Sequence, residues 1–202
     1  MQAKSADVIS IAHLAHGFMQ ITLMNDDNDD FLPGHYLYLE QQWPCYIQDF
    51  QSQTFSIIVT PAFAEIFVHQ KSITISEAQG QPLPVPTVGK SLVLVAENEG
   101  INAVLFYGKK YRQALNGLIL IGITAQYQFP FEPSPSQFLI PDLPSHVFAT
   151  LPLLEDWGIP TRLASVMGKP GCYEGEVLEL AMLWLANHEA QLVRIPTLTL
   201  QR

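Results

Sequence analysis

The residue types best suited to chemistry are sparse in this chain, and their spacing excludes several reactions. Two cysteines occur, Cys45 and Cys172, and neither has a second cysteine within a C-x-x-C pair. A zinc knuckle or an iron–sulfur cluster needs several neighbouring thiolates, so neither can be built from these two alone. In a reducing compartment both are expected as free thiols. Cys172 precedes an expected helix start, a position that can lower a thiol pKa, although a plain thiol is the simpler expectation. His13 and His16 stand three apart with no third ligand indicated, and read as surface or strand-end histidines. The run Asn25–Asp30 is acidic but lacks the Gly and terminal Glu of a calcium loop, so a solvated hairpin loop is expected. Trp157 and Trp184 fit packing between helix and sheet better than a cofactor platform.

Composition narrows the remaining classes. The chain has 202 residues, of which 48% are hydrophobic and 14% charged, with a formal net charge of −9. Charge this sparse, against roughly a quarter in ordinary soluble domains, implies much buried strand and helix or protection by a partner. The negative balance argues against nucleic-acid binding, which relies on Lys and Arg to displace condensed counterions. Apolar runs such as Leu92–Ala96 and Leu118–Ile123 fall short of the roughly 20 residues a membrane span requires. The first residues lack the apolar core of a signal peptide, so the expected compartment is the cytoplasm.

The elements that must position any site fall into two groups. Val8–Ala12, Phe18–Met24, His35–Glu40, Thr54–Val59, Glu65–His69 and Ser72–Ser76 read as short strands, separated by turn signals such as His16-Gly17, Pro33-Gly34 and Gln79-Gly80. Their spacing predicts a small antiparallel barrel or sandwich over residues 1–82. The Pro-rich stretch 83–90 reads as a linker, because its prolines can continue neither a helix nor a central strand. Over 91–202, strands at Ser91–Ala96, Leu118–Ile123 and Thr161–Val166 alternate with helices at Ile101–Leu115 and about Gly175–His188. That order predicts a parallel sheet with crossover helices. The segment Phe129–Pro144, with five prolines, reads as a long irregular excursion. Its apolar residues are expected to order it by contact, over the sheet or against a second copy of the chain.

In this order of elements, several short stretches resemble the flavin-reductase and ferredoxin-reductase family. Phe31-Leu32-Pro33-Gly34-His35-Tyr36-Leu37 looks like its Pro-Gly-Gln-Tyr turn and strand. Gln53-Thr54-Phe55-Ser56-Ile57 resembles its flavin motif, Arg-x-Tyr/Phe-Ser/Thr. Leu92–Ala103 resembles its glycine-rich strand–turn–helix, and Pro170–Val177 resembles a later turn, most like that of the electron-transfer subunits of dihydroorotate dehydrogenase. The resemblance implies a β-barrel plus α/β fold, with a flavin-binding-type barrel before a parallel-sheet, nucleotide-binding-like domain. It further implies a flavin cradled by Tyr36, Gln53, Thr54, Phe55 and Ser56, and a nicotinamide nucleotide near Gly100.

Departures from the pattern set further expectations. Gln53 stands where the family has arginine, keeping hydrogen bonding and losing charge, with Lys90 the candidate to replace it. Glu97, Asn98 and Glu99 precede Gly100 in a turn that is glycine-rich in the family, and the charge and bulk of the two carboxylates oppose a dinucleotide phosphate. Gly100 alone keeps the pattern, and it equally suits a tight strand-to-helix turn. The short interval after Ser76 leaves little room for a helix supporting a flavin diphosphate. FMN or FAD and NAD(P)H are therefore expected to bind weakly, with no iron–sulfur cluster. The implied activity is electron transfer between NAD(P)H and a flavin or downstream acceptor, with an electron-transfer protein or a second copy as partner. The alternative is a non-catalytic binding or regulatory subunit that keeps the fold and has lost the cofactor.

Overall fold

A computed structural model describes residues 3–25 and 29–198. Asp26, Asp27 and Asn28, the centre of the acidic run expected as a hairpin loop, lie outside the described residues. The first half forms β1 (Ala3–His13), β2 (Met19–Met24), β3 (Tyr36–Leu39), β4 (Trp43–Tyr46), β5 (Asp49–Gln51), β6 (Thr54–Val59), α1 (Pro61–Phe67) and β7 (Ser72–Ser76). The strands make one antiparallel sheet in the order β4-β3-β7-β1-β2-β6-β5, curled into a half-barrel. Alternation drives the curl: in β2, Met19, Ile21 and Leu23 are buried while Gln20, Thr22 and Met24 are not fully so. The concave face closes over Phe31, Leu37, Ile47, Phe55 and Phe67.

Glu65–His69 and the stretch between His35–Glu40 and Thr54–Val59 differ from expectation. Glu65–His69, expected as a strand, falls in α1 and the turn behind it. Thr60 is extended and Pro61 occupies the first helical turn, so the chain enters a helix whose Ala64 and Phe67, three apart, face the core. Trp43–Tyr46 is a strand as well, although a proline at 44 would ordinarily argue against one. Its place at the sheet edge removes the objection, since no ladder donor is needed on the open side.

Residues 77–91 contain no helix and are tied to the half-barrel by the bridge from Tyr36 to Gln79 and by the Leu83 N–H, which donates to the Pro33 carbonyl at 2.7 Å. The second half then forms β8 (Leu92–Glu97), α2 (Ile101–Tyr111), β9 (Gly117–Ile123), β10 (Ser134–Pro135), β11 (Ala149–Thr150), α3 (Pro152–Asp156), β12 (Thr161–Ser165), β13 (Tyr173–Glu174), α4 (Val177–Leu185) and β14 (Gln191–Arg194). Its parallel sheet runs β13-β12-β9-β8-β14. β8 is buried on both faces: Leu92, Leu94 and Ala96 pack towards α2, and Val93 and Val95 towards α4. Trp184 packs on the α4 side and Trp157 against the α2 side, as expected of helix–sheet packing.

The Pro-rich excursion is ordered on the chain's own body. Phe129 is fully buried, with the Phe131 ring 5.1 Å away, and Ile140 and Leu143 pack on the α4 side. Arg162 of β12 holds it from below. Its Nε donates to the Val147 carbonyl at 2.9 Å, its Nη1 to the Thr161 carbonyl at 2.8 Å, and its Nη2 to the Phe138 carbonyl at 2.5 Å. Leu139 alone among the apolar residues of the excursion points fully into solvent.

The two sheets meet over a shared core. Tyr46 of β4 packs with Leu94 and Ile121 of the parallel sheet, and Phe106 of α2 packs into the half-barrel. Tyr107 Oη donates to the Pro84 carbonyl at 2.9 Å, fixing the connecting segment to α2, and Lys109 pairs with Asp49 at 2.6 Å. No helix among the described residues is long and apolar enough to cross a membrane.

Candidate functional site

The turn before β3 borders a cleft near the junction of the two sheets. Gly34 has φ +100, and a Cβ there would stand 2.7 Å from the Gln81 carbonyl, so only glycine lets the connecting segment pass this close. The cleft, about 530 Å³, lies between β3, β4, the connecting segment and the chain after β14. Tyr36, Tyr38 and Tyr46 form its aromatic wall, with the Tyr36 ring 5.8 Å from each of the other two, edge to face. Burial raises the Tyr36 pKa, reinforced by Tyr38, and raises that of Tyr46 far more strongly. Both therefore stay neutral at physiological pH. Tyr46 Oη donates to the Pro196 carbonyl at 2.8 Å and holds the C-terminal segment along the cleft. Arg194 of β14 is the one cation among the described lining residues.

Of the residues expected to cradle a flavin, only Tyr36 lines this cleft. Phe55 points the other way, into the half-barrel core, with its ring 5.0 Å from Phe31. Ser56 lies beside it, its Oγ 3.0 Å from Thr22 Oγ1, and Thr54 pairs with Met24 and Gln51 along the sheet. Gln53 sits in the exposed β5–β6 turn, and Lys90 in the exposed turn before β8. The structure thus separates the Gln53–Ser56 stretch from Tyr36. Tyr38, Tyr46 and Arg194 belong to the cleft instead. Tyr38 was legible as the next same-face position after Tyr36, whereas nothing local marks Arg194.

A second cleft, about 460 Å³, opens at the carboxyl ends of β8 and β9, where open α/β sheets bind ligands. Phe18, Thr60, Phe63, Thr124 and Tyr127 line it together with Glu99. The turn that leads there is braced by Asn98, at φ +48, whose Oδ1 accepts from Thr124 N–H at 3.0 Å. Of the acidic pair, Glu99 faces the cleft and Glu97 does not line it. Burial raises the Glu99 pKa, its own backbone N–H opposing only in part. The Tyr127 hydroxyl is pushed far up by burial and by Glu99. Gly100 points away from the cleft. Its φ of −59 suits any residue, and a Cβ would meet Ala96 at 3.2 Å and Ile195 at 3.4 Å, so packing beneath the turn favours glycine.

Both cysteines are free and buried. Burial drives the Cys45 thiol strongly up, with Glu99 adding to it, and raises Cys172 to about 11, with Lys169 opposing. Neither is a thiolate at neutral pH. No group of three His, Cys, Asp or Glu among the described residues could hold a metal.

An aromatic slot of this size suits a flat heterocycle such as an isoalloxazine, and its single cation suits one phosphate better than two. The strand-end cleft suits a nucleotide in shape, while Glu99 opposes one in charge.

No protein-family model and no curated protein matches the chain. Solved structures do resemble it. The ferredoxin reductase of carbazole 1,9a-dioxygenase superposes with a TM-score of 0.60 at 10% identity, over 89% of this chain and 56% of that one. A Neisseria gonorrhoeae ferredoxin NADP+ reductase, solved with FAD and NADP bound, gives 0.59 at 12% identity, over 96% and 84% of the two chains. The FAD/NAD-binding domain of a Vibrio cholerae nitric oxide dioxygenase gives 0.60 at 10% identity, over 95% and 98%. The chain thus spans little more than half of the first of these proteins and nearly all of the last. Half-barrel, connecting segment and parallel sheet together have the fold of the ferredoxin reductases.

Proposed function

We propose that the chain is a weak flavin-binding protein of reductase type, taking FMN or riboflavin more readily than FAD, and moving electrons between a nicotinamide nucleotide and an acceptor. The observation that carries this reading is the tyrosine-walled cleft with Arg194 as its one lining cation. When bound, the flavin supplies the redox chemistry. Tyr36, Tyr38 and Tyr46 hold the ring by aromatic contact, and Arg194 meets a phosphate. The half-barrel, residues 1–82, then carries the flavin side, and residues 91–202 present the strand-end cleft to the nucleotide.

Titration with FMN, riboflavin and FAD, followed by calorimetry, tests this. FMN is expected to bind in the micromolar range or weaker, and FAD no tighter. A charge-assisted bond is worth about 1.5–3 kcal/mol, so a second phosphate without a cation gains little. FAD binding well below micromolar would overturn the preference. One observation favours a second reading, a non-catalytic subunit on the same fold: Glu99 sits in the nucleotide cleft with no paired cation among the described residues. Colourless purified protein that neither takes up flavin nor oxidises NADH in its presence would decide for that reading.

A further inference from the structure

A smaller pocket, of about 240 Å³, lies where the β1–β2 hairpin meets α2, the start of the Pro-rich excursion and the start of α3. At roughly 30 Å³ per water it has the space of about eight waters, enough for a molecule of one or two rings. It shares no lining residue with the tyrosine-walled cleft or with the strand-end cleft. Its walls are mostly apolar, with Leu14, Ile58, Leu105, Pro130, Phe131 and Leu151 among them. Glu132 is the one charged residue of the described lining, and its side chain is 77% exposed and 3.4 Å from His16. A charged ligand would lose water here without gaining a buried counter-charge.

Two amides supply the polarity of this pocket. Gln20 of β2 and Gln48, between β4 and β5, lie 28 residues apart, and Gln20 Nε2 donates to Gln48 Oε1 at 2.9 Å. A side-chain amide carries one acceptor oxygen and two N–H donors, so this bond leaves Gln20 Oε1 and the Gln48 N–H groups open among the described residues. Turning both amides over exchanges the roles and leaves the same kind of pair. Both residues are half-buried, yet neither open atom is sealed from solvent, so both are reachable by a molecule in the pocket they line. Water serves the amides but gains nothing from the apolar walls. A flat neutral molecule with one donor and one acceptor serves both.

We propose that the Gln20–Gln48 pocket binds a small neutral ring compound with a secondary amide on its edge, a lactam. The ligand N–H donates to the open amide oxygen, an open amide N–H donates to the ligand carbonyl, and the rings lie against the apolar walls. An analogue without the N–H leaves that oxygen unpaired in a half-buried site, and a site built on hydrogen bonds discriminates most strongly against such an analogue. The proposal goes beyond flavin binding and does not rest on it.

Calorimetric titration of the full chain tests the proposal with 2-quinolinone and with 1-methyl-2-quinolinone, in which a methyl group replaces the N–H hydrogen. The first is expected to bind about tenfold or more tightly than the second. The double variant Gln20→Leu/Gln48→Leu replaces both partners of one bond by apolar groups, a change that costs little stability. It is expected to bring the two affinities within about twofold of each other. The side-chain amide resonances of Gln20 and Gln48 should shift when 2-quinolinone is added to the unaltered protein, a readout that needs no variant. An excess of FMN should leave 2-quinolinone in place. Equal binding of the two compounds overturns the proposal, as does the absence of binding up to about 1 mM. So do unmoved amide resonances, a preference that survives in the folded double variant, or displacement by FMN, which would put the lactam in the flavin's cleft.

Discussion

Asn102 and Ile58 meet as neighbouring strands would: Asn102 Nδ2 donates to the Ile58 carbonyl at 2.9 Å, and the Ile58 N–H donates to Asn102 Oδ1 at 3.0 Å. β5 stops pairing with β6 at Ser56, so the backbone of Ile58 has lost its neighbour on that side. A side-chain amide on the first turn of α2 takes the place of the missing strand. The two sheets are joined by this clamp, whose Asn102 side chain is buried.

Asn102→Ala should therefore be severe. It leaves a buried donor and a buried acceptor unpaired, each worth about 1–3 kcal/mol, so a loss of about 2–5 kcal/mol is expected from urea unfolding. Asn102→Asp keeps the acceptor but turns a carboxylate oxygen towards the Ile58 carbonyl, and should be no better than alanine. A shift below about 0.5 kcal/mol for alanine, the range of ordinary surface changes, would show that the clamp contributes little.

The carboxylate of Glu99 should give stability an unusual pH dependence. Its pKa is raised on folding because burial penalises the charged form. The folded state then holds the proton more tightly than the unfolded state, so this contribution is fully present below the ordinary value of 4.5 and is lost as pH rises through the raised value. Glu99→Gln should remove that decline, and the two proteins should diverge towards neutral pH in thermal melts recorded across the range. Parallel melts at every pH would count against it.

The same substitution should strengthen NADH binding, since it removes a carboxylate from the strand-end cleft. About tenfold is expected, equal to about 1.4 kcal/mol. Glu97→Gln, outside that cleft, should change little. NADH affinity that is unaltered in Glu99→Gln, or equally improved in Glu97→Gln, would relocate the nucleotide.

Arg162 should act as the anchor of the Pro-rich excursion. Three backbone carbonyls, those of Phe138, Val147 and Thr161, accept from one guanidinium. Arg162→Met keeps the buried stem and removes all three bonds. A loss of about 3 kcal/mol or more is expected, because hydrogen bonds to charged groups are worth about 1.5–3 kcal/mol each and are not fully additive. Hydrogen exchange should quicken over 136–148 before it does in β8 or β9. Unchanged protection in that stretch would show that Phe129 and its neighbours suffice to hold it.

Tyr36 and Phe55 should separate binding from stability. Tyr36→Ala is expected to weaken FMN by about tenfold or more through lost stacking, with a small cost in stability. Phe55→Leu should cost about 1–3 kcal/mol in unfolding experiments and leave flavin affinity within twofold. If Phe55→Leu instead abolished flavin binding in protein shown to be folded, the flavin would sit over β6.

Much of the architecture was legible because burial on both faces leaves a strong local mark. Leu92–Ala96 and Leu118–Ile123 are nearly unbroken apolar runs, and each is a central parallel strand. The turn after β8, the helix at Ile101 and the element-free stretch between Ser76 and Leu92 follow from apolar period and proline alone. Where a short run suits either state, as at Pro61–Phe67, only packing against the half-barrel decides.

The site was far less legible. That Phe55 faces the core follows from its register opposite Leu23, while Tyr36 is turned to the cleft by pairing with Tyr46 and Gln79. Alternation in sequence sets a period of two, but not which face closes inward. Gly100 resembles a phosphate turn in sequence, and Ile195, just past β14, packs beneath it and itself favours glycine there. Arg194, Arg162 and Asn102 carry no local signal, since their partners lie far along the chain. The sequence by itself determined the central parallel strands, the connecting stretch and the order of the two halves. Tertiary structure alone decided which side chains share a cleft, because that depends on strand register and on how the two sheets close against each other.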